Sequence, residues 1–176
     1  NESNSDSILK MLKLQKHRGP DDSGVLGINM QTASMEQLPT LQAENFQIKP
    51  DLVFGFNRLS ILDLSPAGHQ PMVHEGSKVA LMMNGEVYNA FDYKTDLENQ
   101  GFHFKGQSDT EVVLYLYLAY GINGLLERLN GMFALAIYDG RVKELYLVRD
   151  RMGIKPLYVL KNKDYLAFSS EMKSFK

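Results

Sequence analysis

The stretch LMMNGEVYN, Leu81–Asn89, ends a hydrophobic run abruptly at an Asn-Gly-Glu triplet. Asn-Gly between apolar runs is a strong hairpin signal, because both residues tolerate the positive φ angles of tight turns. Just before it, residues 78–84 (KVALMMN) have the continuous apolar content of a strand that is buried on both faces. The stretch therefore predicts a buried strand that ends in a sharp bend, where polar groups are available for chemistry.

The composition is that of an ordinary globular chain. Its 176 residues are 44% hydrophobic and 23% charged, which fits one domain that can bury a core without disulfide bonds. The formal net charge of −2 indicates no basic face, so nucleic acid is not an expected partner. The apolar runs are shorter than the ~20 residues of a membrane span, so no membrane partner is expected.

Cysteine is absent from the sequence, and the four histidines are scattered along it. The sequence therefore offers no disulfide and no cysteine-based zinc site, and no histidine pair has the spacing of metal ligands on a helix. We expect neither a metal nor a cofactor in this chain. The lack of cysteine is compatible with a cytoplasmic location.

The remaining segments predict an α+β chain. Short turns at residues 139–144 and 161–164 separate closely spaced strands, which indicates antiparallel hairpins. Residues 17–24 (HRGPDDSG) have the composition of a turn, and residues 32–50 show no period and predict a long surface excursion. The predicted helices cover residues 8–14, 90–100, 108–121 and 124–131, and the predicted strands cover residues 51–64, 78–84, 132–138, 145–149, 157–160 and 165–169.

Polar residues near the ends of the predicted strands are the candidates for chemistry. Arg58 lies within an apolar segment, where an unpaired guanidinium is costly, so it needs a carboxylate partner. That partner is either Glu86 or Asp109, in a structural ion pair, or the carboxylate of a bound ligand. The spacing alone favours the ion pair. Residues 149–158 (RDRMGIKPLY) form a second charged group, for which a turn between strands is the simplest interpretation.

Six segments, taken together and in order, resemble one known family. They are HRGPDDSG (17–24), RLSILDLSPAGHQPM (58–72), NGEVYN (84–89), SDTEV (108–112), LNGMFALAIYD (129–139) and RDRMGIKPLY (149–158). They are similar to the glutaminase domain of glutamine-hydrolysing asparagine synthetases, a class II glutamine amidotransferase and N-terminal-nucleophile hydrolase. The resemblance extends from Ile8 to Lys176 and implies a four-layer αββα sandwich of two antiparallel sheets.

The resemblance also implies a reaction and its site residues. In the family, an N-terminal cysteine thiolate attacks the side-chain amide of glutamine, its own α-amino group acts as base, and glutamate and ammonia are released. The carboxamide of Asn84 and the backbone N–H of Gly85 match the oxyanion hole. Arg58 matches the residue that binds the α-carboxylate of glutamine, and Glu86 and Asp109 match those that bind its α-ammonium. The strand whose backbone lines the same pocket corresponds to Leu59, Ser60, Ile61 and Leu62.

The sequence departs from the family pattern at three points. It contains no cysteine, so the chain as given is not expected to hydrolyse glutamine, and the first strand with the nucleophile is expected to lie outside it. The synthetase domain, which would bind ATP and Mg²⁺ and amidate aspartate, is likewise expected outside residues 1–176, as their partner. A homodimer is compatible with the resemblance. Phe56 stands where the family commonly has histidine, which predicts altered packing beside Arg58.

Two alternatives to the enzyme remain open at this point. One is a non-catalytic amidotransferase-like domain that binds glutamine or packs on a synthetase domain, since the nucleophile is missing from the sequence. The other is an α+β domain that binds an amino acid without turnover. For the enzyme, aspartate is the expected acceptor of ammonia, although related proteins amidate other carboxylates.

Overall fold

Two antiparallel sheets and a separate hairpin form among residues 4–39 and 45–176, the part of the chain that this computed structural model describes. The first sheet has the strand order β2-β1-β3, the second has the order β4-β5-β6-β7, and the hairpin is β8-β9. The strands are β1 (Asp22–Asn29), β2 (Ser34–Pro39), β3 (Leu52–Arg58), β4 (Met72–His74), β5 (Val79–Val87), β6 (Gly131–Asp139), β7 (Glu144–Arg149), β8 (Tyr158–Lys161) and β9 (Leu166–Ser169).

The helices α1 (Asn4–Leu14), α2 (Lys94–Asn99) and α3 (Asp109–Arg128) pack on the outer faces of the sheets. The side chain of Ser108 caps α3 by accepting the N–H of Thr110. The helix bends at Gly121, the last residue of the helix predicted over 108–121, where φ is 66°. The helix predicted over 124–131 forms the end of α3 and stops at Arg128, because residues from Gly131 onward pair in β6. Within the described part of the chain, no helix has the length and apolar content to cross a membrane.

Strand β5 separates two hydrophobic cores, because its side chains alternate between its two faces. Ala80 and Met82 face the first sheet and pack in one core with Leu26, Ile28 and Phe54. The other core forms against α2 and α3 and contains Val79, Leu81, Met83, Leu97, Val112 and Leu116. Leu12 of α1 and Val25 of β1 make a third core on the outside of the first sheet. The layers are therefore helix, sheet, sheet and helix, which confirms the αββα sandwich.

The Asn84-Gly85 dipeptide does not form the predicted turn. Strand β5 continues through it to Val87, and the two residues lie opposite Ala134 and Phe133 of β6. Pairing with β6 and packing on both faces fix the register along the whole strand, and they override the turn preference of two residues. The polar triplet therefore lies inside a strand and not at a bend.

Three other local predictions need correction. The strand predicted over residues 51–64 ends at Arg58, and residues 59–62 are irregular, with Leu59 and Ile61 largely exposed. Part of the predicted excursion over residues 32–50 forms β2, because it pairs with β1; residues 40–44 of that excursion lie outside the described part. Residues 22–24 belong to β1 and not to a turn. The predicted strands from residue 132 onward are confirmed as β6 to β9.

Candidate functional site

The backbone N–H of Gly85 lies on one edge of β5 between two N–H groups that each donate to a side chain. These two bonds, to Gln70 and to Asp109, are here called the clamps. Alternate residues of a strand direct their backbone groups to the same edge, so Met83, Gly85 and Val87 share an edge. The N–H of Met83 donates to Oε1 of Gln70 at 2.7 Å, and the N–H of Val87 donates to Oδ2 of Asp109 at 2.9 Å. The two flanking N–H groups are thus occupied by side chains, whereas the N–H of Gly85 has no acceptor within the described part of the chain.

The opposite strand supports this orientation of Gly85. Its neighbour Phe133 directs both backbone groups away from β5, because its C=O accepts the N–H of Asp150 at 2.8 Å and its N–H reaches Oδ2 of Asp150 at 3.3 Å. Gly85 itself has a φ of 146°, and a Cβ there would lie 2.0 Å from the carbonyl oxygen of Met132. Only glycine fits this position without displacing β6.

Asn84 is oriented by a residue that lies far away in the sequence. Its carboxamide Nδ2 donates to Oγ of Ser170, just after β9, at 3.1 Å. An amide NH₂ carries two hydrogens, so this bond fixes the side chain and leaves one donor available. Asn84 and Gly85 together therefore present two donors from adjacent residues. Nothing in the sequence pattern pointed to Ser170, because the contact joins residues 86 positions apart.

Glu86 and Asp109 form a negative site beside these donors. Asp109 is 5% exposed; burial raises the pKa of its carboxyl, hydrogen bonds from the N–H groups of Val87 and Thr110 oppose this, and the charge of Glu86 raises it further. Among the described residues, the side chain of Glu86 makes no hydrogen bond and no ion pair. Two carboxylates without a counter-ion are a suitable place for a cationic group.

Arg58 does not pair with Glu86 or Asp109, so the predicted structural ion pair is wrong. Its buried guanidinium instead donates to the carbonyl oxygens of Ser65, at 3.1 Å, and of Asp63. The side chain thereby holds the loop that follows β3. The physical reason is local, because backbone carbonyls of this loop lie closer to Arg58 than the predicted carboxylates.

The loop after β3 is also held by two aspartates that the sequence analysis did not single out. Oδ2 of Asp21 accepts the N–H of Ser60 at 2.8 Å. Asp63 accepts the N–H groups of Ser65 and Gln107. A hydrogen bond from the side chain of Ser65, together with these two backbone bonds, lowers the pKa of the Asp63 carboxyl. The bond to Gln107 joins the loop to the start of α3, where Asp109 lies. Both aspartates belong to the segments that carry the family resemblance, which was the available signal.

A surface cavity of about 760 Å³ opens beside Arg58. Its walls include Ser60 and the pair of Asp22 and His69, whose Oδ2 and Nδ1 atoms lie 2.6 Å apart. The structure thus brings the predicted site residues together as two groups. Arg58 and Ser60 face the cavity, whereas Asn84, Gly85, Glu86 and Asp109 gather around the end of β5. Leu59, Ile61 and Leu62 are exposed beside the cavity wall.

The charged segment at residues 149–158 forms a structural turn, as its composition predicted. The carboxylate of Asp150 accepts the N–H groups of Met152, Ile154 and Lys155. Burial raises the pKa of Asp150, but these bonds outweigh it and the net shift is downward. The guanidinium of Arg149 donates to two carbonyls of the same turn. Among the described residues, no group of three or more side chains is arranged to hold a metal ion.

Comparison with known sequences assigns the family. The profile of the glutamine amidotransferase domain matches residues 42–176, and the chain belongs to this family. It is 44% identical over 168 residues to asparagine synthetase (glutamine-hydrolyzing) 2 of Bacillus subtilis, a match that covers 95% of this chain and 19% of that protein. It is 36% identical over 164 residues to amidase chry2 of Gibberella zeae, with coverages of 93% and 21%. The chain spans about a fifth of the length of these relatives.

Solved structures share the fold. Glutamine phosphoribosylpyrophosphate amidotransferase from B. subtilis superimposes with a TM-score of 0.79 at 24% identity, covering 99% of this chain and 41% of that one. A second structure, described as the allosteric regulatory enzyme of purine biosynthesis, gives a TM-score of 0.77 at 24% identity, with coverages of 97% and 40%. The αββα sandwich of this chain is therefore the fold of these enzymes.

Proposed function

We propose that this chain is the glutaminase unit of an asparagine-synthetase-type protein, which releases ammonia from glutamine for the amidation of aspartate. The observation that carries the proposal is the open N–H of Gly85, set between the Gln70 and Asp109 clamps and next to the carboxamide of Asn84. Two adjacent donors on a rigid strand suit an oxyanion. The identity of 44% to an asparagine synthetase supports the same assignment.

In the proposed reaction, a cysteine thiolate adds to the amide carbon of glutamine, and the carbonyl electrons move to oxygen. The N–H groups of Asn84 and Gly85 donate to the resulting oxyanion. The α-amino group of the cysteine, which took up the thiol proton, passes it to the amide nitrogen, and the carbon–nitrogen bond breaks as the carbonyl re-forms and ammonia leaves. The γ-glutamyl thioester that remains is hydrolysed by water to glutamate and free thiol. Loss of one such donor typically costs about 10²–10³-fold in rate.

The two charged ends of the substrate would be bound by Arg58 beside the cavity and by Glu86 and Asp109 at the end of β5. Arg58 has five N–H donors, of which loop carbonyls take only part, so it can still bind the α-carboxylate of glutamine. Glu86 and Asp109 would accept the α-ammonium, whose charge relieves the repulsion between them. The backbone of residues 59–62, held by Asp21, would line the pocket as a loop and not as a strand.

The thiolate has to be supplied by a segment that is not among residues 1–176, because the sequence contains no cysteine. We propose a strand with an N-terminal cysteine. Strand β3 lies at the end of its sheet, so among the described strands one of its edges is unpaired and can accept a further strand.

The proposal extends to the whole polypeptide. A synthetase domain would bind ATP and Mg²⁺, activate aspartate and receive the ammonia, and the protein would act in the cytoplasm. The match to about a fifth of each relative's length is what supports such a further domain. Light scattering of the full-length protein tests whether it forms a homodimer.

Glutamine binding by the full-length protein tests the substrate assignment. Calorimetry is expected to show binding that is lost in Arg58→Met. Arg149→Met is the matched control, because Arg149 also donates to two backbone carbonyls but lies in a structural turn. Equal affinities in the two variants would contradict the assigned role of Arg58.

Turnover distinguishes the enzyme from the binding-only alternative. The full-length protein is expected to release glutamate and ammonia in equal amounts, and Asn84→Ala is expected to abolish most of this release. Glutamine binding without any release would favour the non-catalytic domain. Asparagine formation from aspartate and ATP then identifies the acceptor, and its failure with intact glutaminase activity would point to another carboxylate.

A further inference from the structure

We propose that Gln70 is a positioning residue that aims the oxyanion donors, an inference that rests on the proposed function. Its side-chain carboxamide bonds to the backbone of β5 at the position where a neighbouring strand would pair. It touches neither the proposed substrate nor the donors themselves, and it acts through the backbone of Met83, the residue before Asn84.

The register of β4 shows why a side chain is needed here. Strand β4 pairs with β5 through Met72 opposite Leu81 and His74 opposite Val79. Two residues further along, the same register places Gln70 opposite Met83. The backbone ladder stops before that pair, because β4 begins at Met72 and the chain lies outside the sheet at Gln70.

The carboxamide of Gln70 makes the two bonds that a backbone partner would make. Its Oε1 accepts the N–H of Met83 at 2.7 Å, and its Nε2 donates to the carbonyl of Met83 at 3.4 Å. That carbonyl belongs to the peptide between Met83 and Asn84, and the N–H of Met83 belongs to the preceding peptide, so Gln70 holds the backbone on both sides of the Met83 Cα atom. The orientation of the Asn84 side chain and of the following Gly85 N–H depends on it.

Burial and a third contact make this arrangement rigid. Gln70 is 7% exposed, so its polar atoms cannot exchange these partners for water without opening the site. Its Nε2 also lies 3.4 Å from Oγ1 of Thr110, in the first turn of α3 next to Asp109. The Gln70 clamp is therefore linked, through Thr110, to the turn of α3 that carries the Asp109 clamp.

Oxyanion donors are sensitive to such positioning, because they must lie about 2.7–3.1 Å from the oxyanion. A misplacement of about 1 Å in an active site can cost roughly 10²-fold in rate. Ground-state binding of glutamine relies instead on Arg58, Glu86 and Asp109. Loss of Gln70 should therefore lower kcat much more than it raises KM.

Substitutions at Gln70 in the full-length protein test the inference. Gln70→Met keeps the length of the side chain and removes both bonds, so we expect kcat for glutamine hydrolysis to fall about 10–10²-fold, with KM nearly unchanged. Gln70→Glu keeps an acceptor for the N–H of Met83 and should give an intermediate kcat. Gln37→Met is the matched control. It removes the bond from Nε2 of Gln37 to the carbonyl of Pro71, the residue after Gln70, at 3.0 Å, and it should keep the wild-type kcat.

Hydrogen exchange separates this inference from the proposed function. The amide of Met83 is expected to exchange faster in Gln70→Met than in the wild type or in Gln37→Met. Wild-type kcat and exchange in both Gln70 variants would overturn the inference. If Gln70→Met does not fold, Gln70→Glu decides in the same way. If the wild type releases no ammonia, the proposed function fails, and unchanged exchange at Met83 would separately refute the role of Gln70.

Discussion

The carboxylate of Asp109 accepts the backbone N–H of Val87 at 2.9 Å and thereby joins the first turn of α3 to the end of β5. The same carboxylate is buried and lies close to the charge of Glu86. It therefore serves as a structural acceptor and, when ionised, adds a second negative charge beside Glu86. These two roles can be separated, because an amide oxygen can replace the acceptor but not the charge.

Replacing Asp109 by asparagine should weaken glutamine binding without weakening the fold. Burial raises the pKa of Asp109, so the folded state holds its proton more tightly than the unfolded state. Stability from this group is therefore greatest at low pH and declines as pH rises through the folded-state pKa. At pH 7 we expect Asp109→Asn to unfold at no lower urea concentration than the wild type. Calorimetry should show about a 10–10²-fold loss in glutamine affinity, since charged hydrogen bonds contribute ~1.5–3 kcal/mol.

Asp139→Asn provides the opposite control for this pH dependence. Burial raises the pKa of Asp139, but bonds from Arg141 and Tyr117 outweigh it, so the net shift is downward. Its stabilisation is present above the unfolded-state pKa and is lost as pH falls through the folded-state pKa. Asp139→Asn should therefore unfold more easily at pH 7, by about 1–3 kcal/mol. If both variants respond alike, the assigned difference between the carboxylates is wrong.

Adding a methyl group at Gly85 should disrupt the contact between β5 and β6. In Gly85→Ala the new Cβ would lie 2.0 Å from the carbonyl oxygen of Met132, and the φ of 146° would be strained as well. We expect a loss of about 3 kcal/mol or more in the free energy of unfolding. Gly101→Ala is the control, because Gly101 has a φ of 93° and a Cβ added there would meet no atom within 4 Å. Similar losses in the two variants would show that only the φ angle matters.

Ser170 should influence catalysis through Asn84. Ser170→Ala removes the acceptor for the carboxamide at 3.1 Å, so Asn84 can rotate and its donor is less often directed at the oxyanion. We expect kcat to fall less than in Asn84→Ala, for which about 10²–10³-fold is typical, with KM unchanged. Ser169→Ala is the control, since Oγ of Ser169 accepts the N–H of Glu171 and not an Asn84 atom. An equal fall in kcat for both serine variants would rule out the specific role of Ser170.

The sequence pattern predicted an α+β chain and most of the strands, because apolar runs such as Val79 to Met83 are local, whereas the layered sandwich was implied by the family resemblance. The roles of Asn84 and Gly85 came from the family resemblance. The local Asn-Gly signal indicated a turn, and only pairing with β6 makes it a strand. Gln70 and Ser170 could not be predicted, because their contacts depend on register and on strands that are distant in the sequence.

Arg58 illustrates the same limit for electrostatics. Its need for a partner followed from its apolar surroundings, but the choice of partner did not. The guanidinium binds carbonyl oxygens only five and seven residues away, and a sequence pattern does not show where carbonyls of an irregular loop will point. Side-chain identity thus predicted the requirement, whereas backbone geometry decided how it was met.

An ion cluster joins Glu171 to the segment before β1. Bonds from Lys173, His17 and Arg18 lower the pKa of Glu171 to about 2, against an opposing effect of desolvation. Its stabilisation is therefore present above the ordinary glutamate pKa and is lost as pH falls through about 2. Glu171→Gln should lower the Tm at pH 7, and the difference should shrink in about 1 M salt, which screens exposed pairs. Glu127→Gln, an exposed residue of α3, is the control, and an equal Tm change there would exclude a specific cluster effect.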